Sequence, residues 1–394
     1  MLLLVAAAEI FGMTLWFSAT AAAPQIAREF ALDAGWRAWL TMAVQAGFVA
    51  GTLITALTNA ADAINARHLF ALGCLAGAAC NAAITAAPTA GAIVVLRFCT
   101  GAALAWVYPP GMKIAAGWFH ERRGTALGIV VGAVGLGSAF PHLLGWLGGD
   151  LSWRMLVAAS SALALGGAAI VAFGVTDGPH VSASSPFDRH ALRVVLRSRG
   201  TRLAMLGYFG HMWELYAMWT WIAAFAAASL GTAAATGSAV AFVTIATGAI
   251  GCVVAGFWAD RWGKARIAGA AMVASAACAL ASPVFYGAPL AALLVLAVIW
   301  GFTVVADSAQ FSALVTEHTP RTHIGTALTL QTSAGFLLTM VSMRLVPPIT
   351  ELAGWQWAFV FLVPGPLLGA WAMKRLMAYG SGLTADQAQS HHEP

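Results

Sequence analysis

The chain has 394 residues, is 60% hydrophobic and only 9% charged, and carries a formal net charge of +5, with a mean hydropathy of +0.80. A soluble domain carries about 25% charged residues, so this composition cannot build a water-facing surface, and its solvent is a bilayer. The basic balance does not mark a nucleic-acid binder, because Lys and Arg gather in the short polar segments between apolar runs.

A membrane-crossing helix needs about 20 apolar residues. Twelve such runs fall at roughly 1–26, 36–60, 68–88, 90–115, 124–147, 152–175, 201–229, 234–259, 266–287, 289–316, 324–348 and 353–378. The expected organisation is a six-helix bundle over 1–175, a polar linker over 176–200, a second six-helix bundle over 201–380, and a polar, disordered tail over 381–394. Of the 20 Lys and Arg, 14 fall in loops of one parity and the tail, three in loops of the other parity and three inside spans. That bias places both termini of a multi-pass membrane protein in the cytoplasm. The first run has no basic flank and reads as a span rather than a cleaved signal, and it starts abruptly, as though a few residues preceded it. All five Cys lie in apolar runs without a CxxC pair, so neither a disulfide nor a metal site is expected.

In chain order, the first span carries Glu9 and Trp16. The loop after the second span reads Asp62-Ala63-Ile64-Asn65-Ala66-Arg67. Gln45 and Asn81 are isolated amides suited to helix-seam hydrogen bonds. The fourth span holds Arg97 four residues before Gly101, followed by Trp106-Val107-Tyr108-Pro109-Pro110-Gly111. Proline removes a backbone donor, so a helix break is expected there, where neighbours or a cavity satisfy the freed carbonyls. Arg97 reads either as a cavity charge or as a residue tied to neighbouring carbonyls. The fifth span is rich in glycine (Gly128, Gly132, Gly135, Gly137, Gly145), a composition that allows close helix packing.

The seventh span holds His211, Trp213, Glu214 and Tyr216. A carboxylate at that depth costs about 2.5–3.5 kcal/mol to insert, so Glu214 should face the interior. His211 and Glu214 are three apart and share a helix face, where they could share a proton. The alternative is a fixed ion pair of Glu214 with an Arg of the other half. The tenth span ends in Asp307-Ser308-Ala309-Gln310, a polar face suited to proton relay, substrate hydrogen bonding, gating or a structural seam. The eleventh carries Gln331 and Arg344, the latter near its outer end, where it could snorkel or frame an outer gate with His142.

The halves repeat. Gly-Thr-Ala-Leu occurs at 124–127 and 325–328, Trp153 and Trp355 are 202 residues apart, and Gly101 and Gly301 are 200 apart. One offset for several markers argues for duplicated six-helix units.

Between the eighth and ninth spans lies Gly256-Phe257-Trp258-Ala259-Asp260-Arg261-Trp262-Gly263-Lys264-Ala265-Arg266. This G-x-x-x-D-R-x-G-K-x-R pattern resembles the signature loop of the major facilitator superfamily of secondary transporters. The segment at Asp62 is a degenerate copy 198 residues upstream, with Ala63 in place of the basic residue and Asn65 in place of glycine. Arg97-x-x-x-Gly101 resembles the family's fourth-helix motif, and the Gly128–Gly137 spacing resembles a fifth-helix antiporter motif, with Pro141-His142 where the family has Gly-Pro. His211-Met212-Trp213-Glu214-Leu215 and the Asp307–Ser312 string resemble recurring features of a bacterial subgroup without an assigned substrate.

The resemblance implies an all-α membrane protein of 12 transmembrane helices in two pseudo-symmetric six-helix bundles, with a midplane cavity exposed to alternate sides. It implies gating by Asp62, Arg67, Gly256, Asp260, Arg261, Gly263 and Lys264. Proton coupling falls to Glu214, His211, Asp307 and Glu9. The substrate cavity is expected to be lined by Arg97, Trp16, Trp106, Tyr108, Trp213, Tyr216, Gln310 and Gln331. The expected function is proton-coupled transport of a small solute by a monomer without cofactors. Arg97 and Arg344 favour an organic or inorganic anion, whereas the three carboxylates permit a proton-driven drug or metabolite efflux antiporter. A non-transporting membrane sensor is the reading from another class. No P-loop, HExxH or GxSxG is present, which speaks against ATP drive and against an enzyme.

Overall fold

The computed structural model describes residues 1–58, 63–119, 123–148, 151–180 and 191–390. Asp62, Arg122 and Arg189 lie outside them, so the Asp62 copy is followed only from Ala63 onward.

The N-terminal bundle comprises α1 (Leu2–Ala21), α3 (Ala34–Leu57), α4 (Ala66–Ala83), the broken pair α5 (Ala90–Leu104) and α6 (Tyr108–Trp118), α7 (Arg123–Leu147) and α8 (Trp153–Gly174). A short α2 (Ala23–Glu29) follows α1, so the first expected span is two helices, the second opening on Pro24. The segment expected as a linker contains α9 (Ala191–Arg197). The C-terminal bundle comprises α10 (Arg199–Leu230), α11 (Ala234–Trp262), α12 (Lys264–Phe285), the broken pair α13 (Leu290–Ala306) and α14 (Ser308–His318), α15 (Ile324–Ala353) and α16 (Pro364–Ser390).

Among the described residues, eleven crossings are long and apolar enough for a bilayer. The twelfth, α10, carries the Trp, Tyr, His and Glu side chains that lower its hydropathy, and it is buried along most of its length instead. Ser198 caps its start by accepting from the Thr201 amide, and Gly231, at φ +60°, ends it.

Two expectations about the last crossing change. It opens with 3₁₀ turns at Trp355–Trp357 and Val360–Leu362, and the α-helix starts only at Pro364. Proline is pre-set for a helix start and cannot extend one backwards. Its backbone then stays helical to Ser390, through ten residues expected to be a disordered tail.

The duplication extends to atomic contacts. A Cβ on Gly101 would run into the Val44 carbonyl oxygen, and one on Gly301 into that of Thr244; Gly51 lies on the Ala102 carbonyl as Gly251 lies on that of Phe302. Each pair repeats 200 residues on, or within one residue of it, so glycine lets the second and fourth crossings of each half touch backbone to backbone. Both fourth crossings then break, one at Ala105-Trp106-Val107, with Pro109 and Pro110 in the first turn of the helix that follows, and the other at Asp307.

The halves meet along two seams. In the first, α7 lays its glycines on α11, with Gly132 against the Ala249 carbonyl and Gly128 against that of Cys252. In the second, α3 meets α15, where the Thr339 hydroxyl donates to Gln45 Oε1. Gln45 therefore joins the halves, while Asn81 works inside one half, donating to the Val157 carbonyl and Ser161 Oγ.

Candidate functional site

Arg97 is buried on α5, and all three guanidinium nitrogens donate within its own half. Nε reaches the Leu40 carbonyl at 3.0 Å. One terminal nitrogen reaches the Leu15 carbonyl at 2.7 Å and, at 3.2 Å, Ser18 Oγ and Asn81 Oδ1. The other donates to the Trp16 carbonyl. Three helices thus satisfy the charge, which a bilayer interior requires. Of the two readings of Arg97, the tie to carbonyls describes this arrangement. It is not turned toward a cavity, and its nitrogens do not pair with Glu214.

Glu214 sits on α10, 2% exposed. One carboxylate oxygen accepts from Ser275 Oγ and from Trp300 Nε1, both at 2.8 Å. His211, one turn away, does not reach for Glu214 as its i, i+3 spacing suggested. Its Nδ1 lies 2.8 Å from Asp307 Oδ1, and both side chains are buried. The break at Asp307 frees that carboxylate from the regular helix face and presents it to α10. Across the interface Glu9 is fully buried beside Gly111, and neither of its oxygens has a hydrogen-bond partner among the described residues. Tyr108 opens α6, the helix on which Gly111 meets Glu9.

Next to this region, further from the chain ends, the halves close on aromatic rings. Trp16 contacts Phe48 at 5.1 Å, Phe336 at 5.6 Å and Tyr216 at 5.8 Å between centroids. Phe17 stacks on Tyr216 at 6.3 Å and meets Trp219 edge-on at 5.9 Å and His142 at 6.2 Å. Several polar atoms of this cage are buried without a hydrogen-bond partner among the described residues: Trp16 Nε1, Trp219 Nε1 and both His142 nitrogens; Gln331, buried on α15, likewise leaves both amide atoms unpartnered. Such groups cost about 1–3 kcal/mol each when left unpaired.

The expected aromatic set divides. Trp16 and Tyr216 meet at the interface. Trp106 instead donates to Thr55 Oγ1 at 2.8 Å, and Trp213 donates to the Phe361 carbonyl at 3.2 Å and packs on Phe361, each inside its own half. Both therefore point away from the expected cavity. Gln310 is buried on α14. His142 is buried against Phe17, whereas Arg344 is exposed over Gly35. The two do not frame one gate.

At the face bearing the chain ends, Gly263 takes φ +91°, a conformation that side-chain-bearing residues rarely adopt. Asp260 lies against Gly124, where a Cβ would come within 3.0 Å of its carboxylate. This sets a negative charge at the N-terminus of α7, in the opposite half, a favourable placement against the helix dipole. Gly256 also faces the Gly124 carbonyl. Lys264 pairs with Glu317 at 2.6 Å, and Arg261 lies over the Trp262 ring at 5.8 Å, both within the C-terminal half. The N-terminal counterpart ties its own half: Asn65 donates to Asp177 at 2.6 Å and Arg67 to the Val175 carbonyl. On the opposite face, Arg154 grips Glu29 with two hydrogen bonds and Trp153 donates to the same carboxylate. The Arg154 hydrogen bond, then that of Trp153, hold the Glu29 carboxyl down at about 2.

Sequence reasoning missed Phe17, Phe48, Phe336, Trp219, Ser275 and Trp300. Single aromatics in apolar runs carry no distinguishing signal. Trp219 and Tyr208 do lie in the polar-aromatic seventh-span string, where a closer reading of helix faces would have found them.

The sequence matches the family described as Major Facilitator Superfamily over residues 4–228 and again over 204–388. No curated protein matches it by sequence. By fold, 312 solved chains match. Among them the nucleoside transporter NupG superposes with a TM-score of 0.71 at 13% identity, over 95% of this chain and 99% of that one, a likeness of fold.

Proposed function

Because the chain belongs to the major facilitator superfamily, we propose that it is a proton-coupled secondary transporter that carries a small, uncharged, ring-bearing solute by alternating access. The observation behind this reading is the His211–Asp307 contact of 2.8 Å beside Glu214, all buried inside the C-terminal half. A proton added there removes a buried charge, and its loss restores one, so protonation biases which face opens. Glu9 is the matching group of the N-terminal half.

The solute class follows from the cage. Two indole N–H groups and one His142 nitrogen offer donors, the other His142 nitrogen accepts, and flat rings surround them. An uncharged heterocycle or a hydroxylated aromatic meets those demands. The anion expected from Arg97 and Arg344 loses its support, because Arg97 is taken by carbonyls and Arg344 lies outside the cage. A nucleoside, the solute that the transporter NupG is named for, is one compound of the favoured kind. A cationic solute, exported, is the second reading, and unpartnered Glu9 supports it.

Asp260, lying against Gly124 at the start of α7 in the opposite half, would hold the face bearing the chain ends closed in this state. We place that face in the cytoplasm of a bacterial inner membrane, on the distribution of Lys and Arg, with bundles at 1–175 and 201–380 joined by 176–200. Both halves lie in one chain, so a monomer holds a complete path.

The test is uptake into proteoliposomes under an imposed pH gradient, with nucleosides, nucleobases, carboxylates and lipophilic cations as solutes. Solute-driven proton movement by the wild type, lost in Asp307→Asn and Glu214→Gln, is the expected result. Flux of an anion, undiminished in those variants, would overturn it.

A further inference from the structure

On the outer surface of the C-terminal half, at the face bearing the chain ends, a groove of about 340 Å³ runs between α10 and α16. It is lined by Arg199, Arg202, Leu203, Leu206, Trp371 and Arg375. Arg199 and Arg202 stand one turn apart on α10, with Leu203 and Leu206 one turn deeper on the same side. On α16, which runs the other way, Trp371 lies one turn deeper than Arg375, whose guanidinium sits 5.6 Å over the indole ring. Arg199 lies 5.4 Å over the Tyr379 ring. The groove is thus cationic at its rim and apolar below.

Among the described residues none of the three arginines forms an ion pair; the carboxylates in ion pairs belong to Glu29, Asp307 and Glu317. Three like charges around one groove repel unless an anion joins them. The apolar part opens sideways. Leu367, Leu368 and Trp371 of α16 are 47–49% exposed, on the sideways face of a membrane-crossing helix. Arginine favours phosphate because its planar fork donates two parallel hydrogen bonds. We infer that this groove binds an anionic phospholipid, its phosphodiester headgroup held by Arg199, Arg202 and Arg375 and its acyl chains lying along Leu203, Leu206 and Trp371. Basic groups at the membrane boundary select anionic headgroups by charge, and the hydrocarbon wall separates such a lipid from a free phosphate.

The site joins α10, which carries His211 and Glu214, to α16, which already touches it where Gly210 meets Gly365 and Gly369. A bound lipid would therefore strap one moving helix to its neighbour at the membrane boundary.

The experiment uses the full chain, purified in a neutral detergent and stripped of lipid. Retention of phosphatidylglycerol and of phosphatidylcholine is measured by native mass spectrometry. The expected result is strong preference for phosphatidylglycerol, at least tenfold weaker retention in Arg199→Gln/Arg202→Gln/Arg375→Gln, and wild-type retention in Arg261→Gln/Arg266→Gln on the same face. Arg202→Gln alone should weaken retention about threefold, and it stands in if the triple variant does not elute as a single species. Equal loss in the control variant, or equal retention of phosphatidylcholine, would overturn the site. Displacement of the lipid by an equal concentration of inorganic phosphate would overturn the lipid as its ligand.

Discussion

Glu214 separates a structural role from a coupling role in a single pair of substitutions. Its one oxygen accepts from Ser275 Oγ and Trp300 Nε1, both at 2.8 Å. In Glu214→Gln the amide oxygen can accept both, so the fold should lose less than about 1 kcal/mol. In Glu214→Ala both donors are left unpaired in a buried site. At about 1–2 kcal/mol for each intramembrane hydrogen bond, the expected loss is about 2–4 kcal/mol. Thermal unfolding of the three proteins in one detergent measures the difference. Transport gives the second readout: Glu214→Gln should still exchange solute for solute across vesicles yet fail to concentrate it against a gradient with a proton drive. If Glu214→Ala is as stable as Glu214→Gln, the hydrogen-bond geometry is wrong. If Glu214→Gln still accumulates solute fully, the coupling role is wrong, whatever the stability.

Further tests address other parts of the molecule. Arg97→Met would leave the Leu15, Trp16 and Leu40 carbonyls without their shared donor, so thermal unfolding should show a loss of about 3 kcal/mol or more; a neutral outcome would place the guanidinium elsewhere. Gly101→Val and Gly301→Val should harm folding to similar degrees, because each Cβ would meet a carbonyl of the second crossing in its own half; yield and melting of the pair in parallel would reveal any asymmetry. Gly124→Val should push against the Asp260 carboxylate and raise labelling of a cysteine placed on the inner side of that seam, and unchanged labelling would remove Asp260 from the closure. For Glu29, held at about 2 against an ordinary 4.5, the folded state binds its proton less readily than the unfolded one. Its contribution is therefore present above about 4.5 and fades as pH falls toward 2. Wild type and Glu29→Gln should differ in stability at pH 7 and converge across that window; a constant gap would refute the Arg154 grip.

Much of this architecture is legible in the residues themselves. In a bilayer every crossing must satisfy its own backbone, so hydropathy alone marks where the chain crosses. Proline chemistry marks the break after Trp106, and the repeated offsets mark the two halves. The stretch from Gly256 to Arg266, helical except at Gly263, was readable because a positive φ at Gly263 and charges at the membrane boundary demand particular residue types at fixed spacing. Side-chain partnership was not readable in this way. His211 and Glu214 share a helix face, yet His211 meets Asp307, because the break in the tenth crossing brings that carboxylate across. Trp106 and Trp213 looked like lining residues, yet each turns into its own half to place its indole N–H. Arg97 had two readings, and only the approach of three helices settles which carbonyls surround it. The solvent, the crossings, the duplication and the residues too polar to face lipid depend on local composition and on the chain's own backbone, and so are written along the chain. Which polar groups pair, which stay unpaired and which rings close over them depend on contacts between helices, whose relative rotation no local pattern encodes.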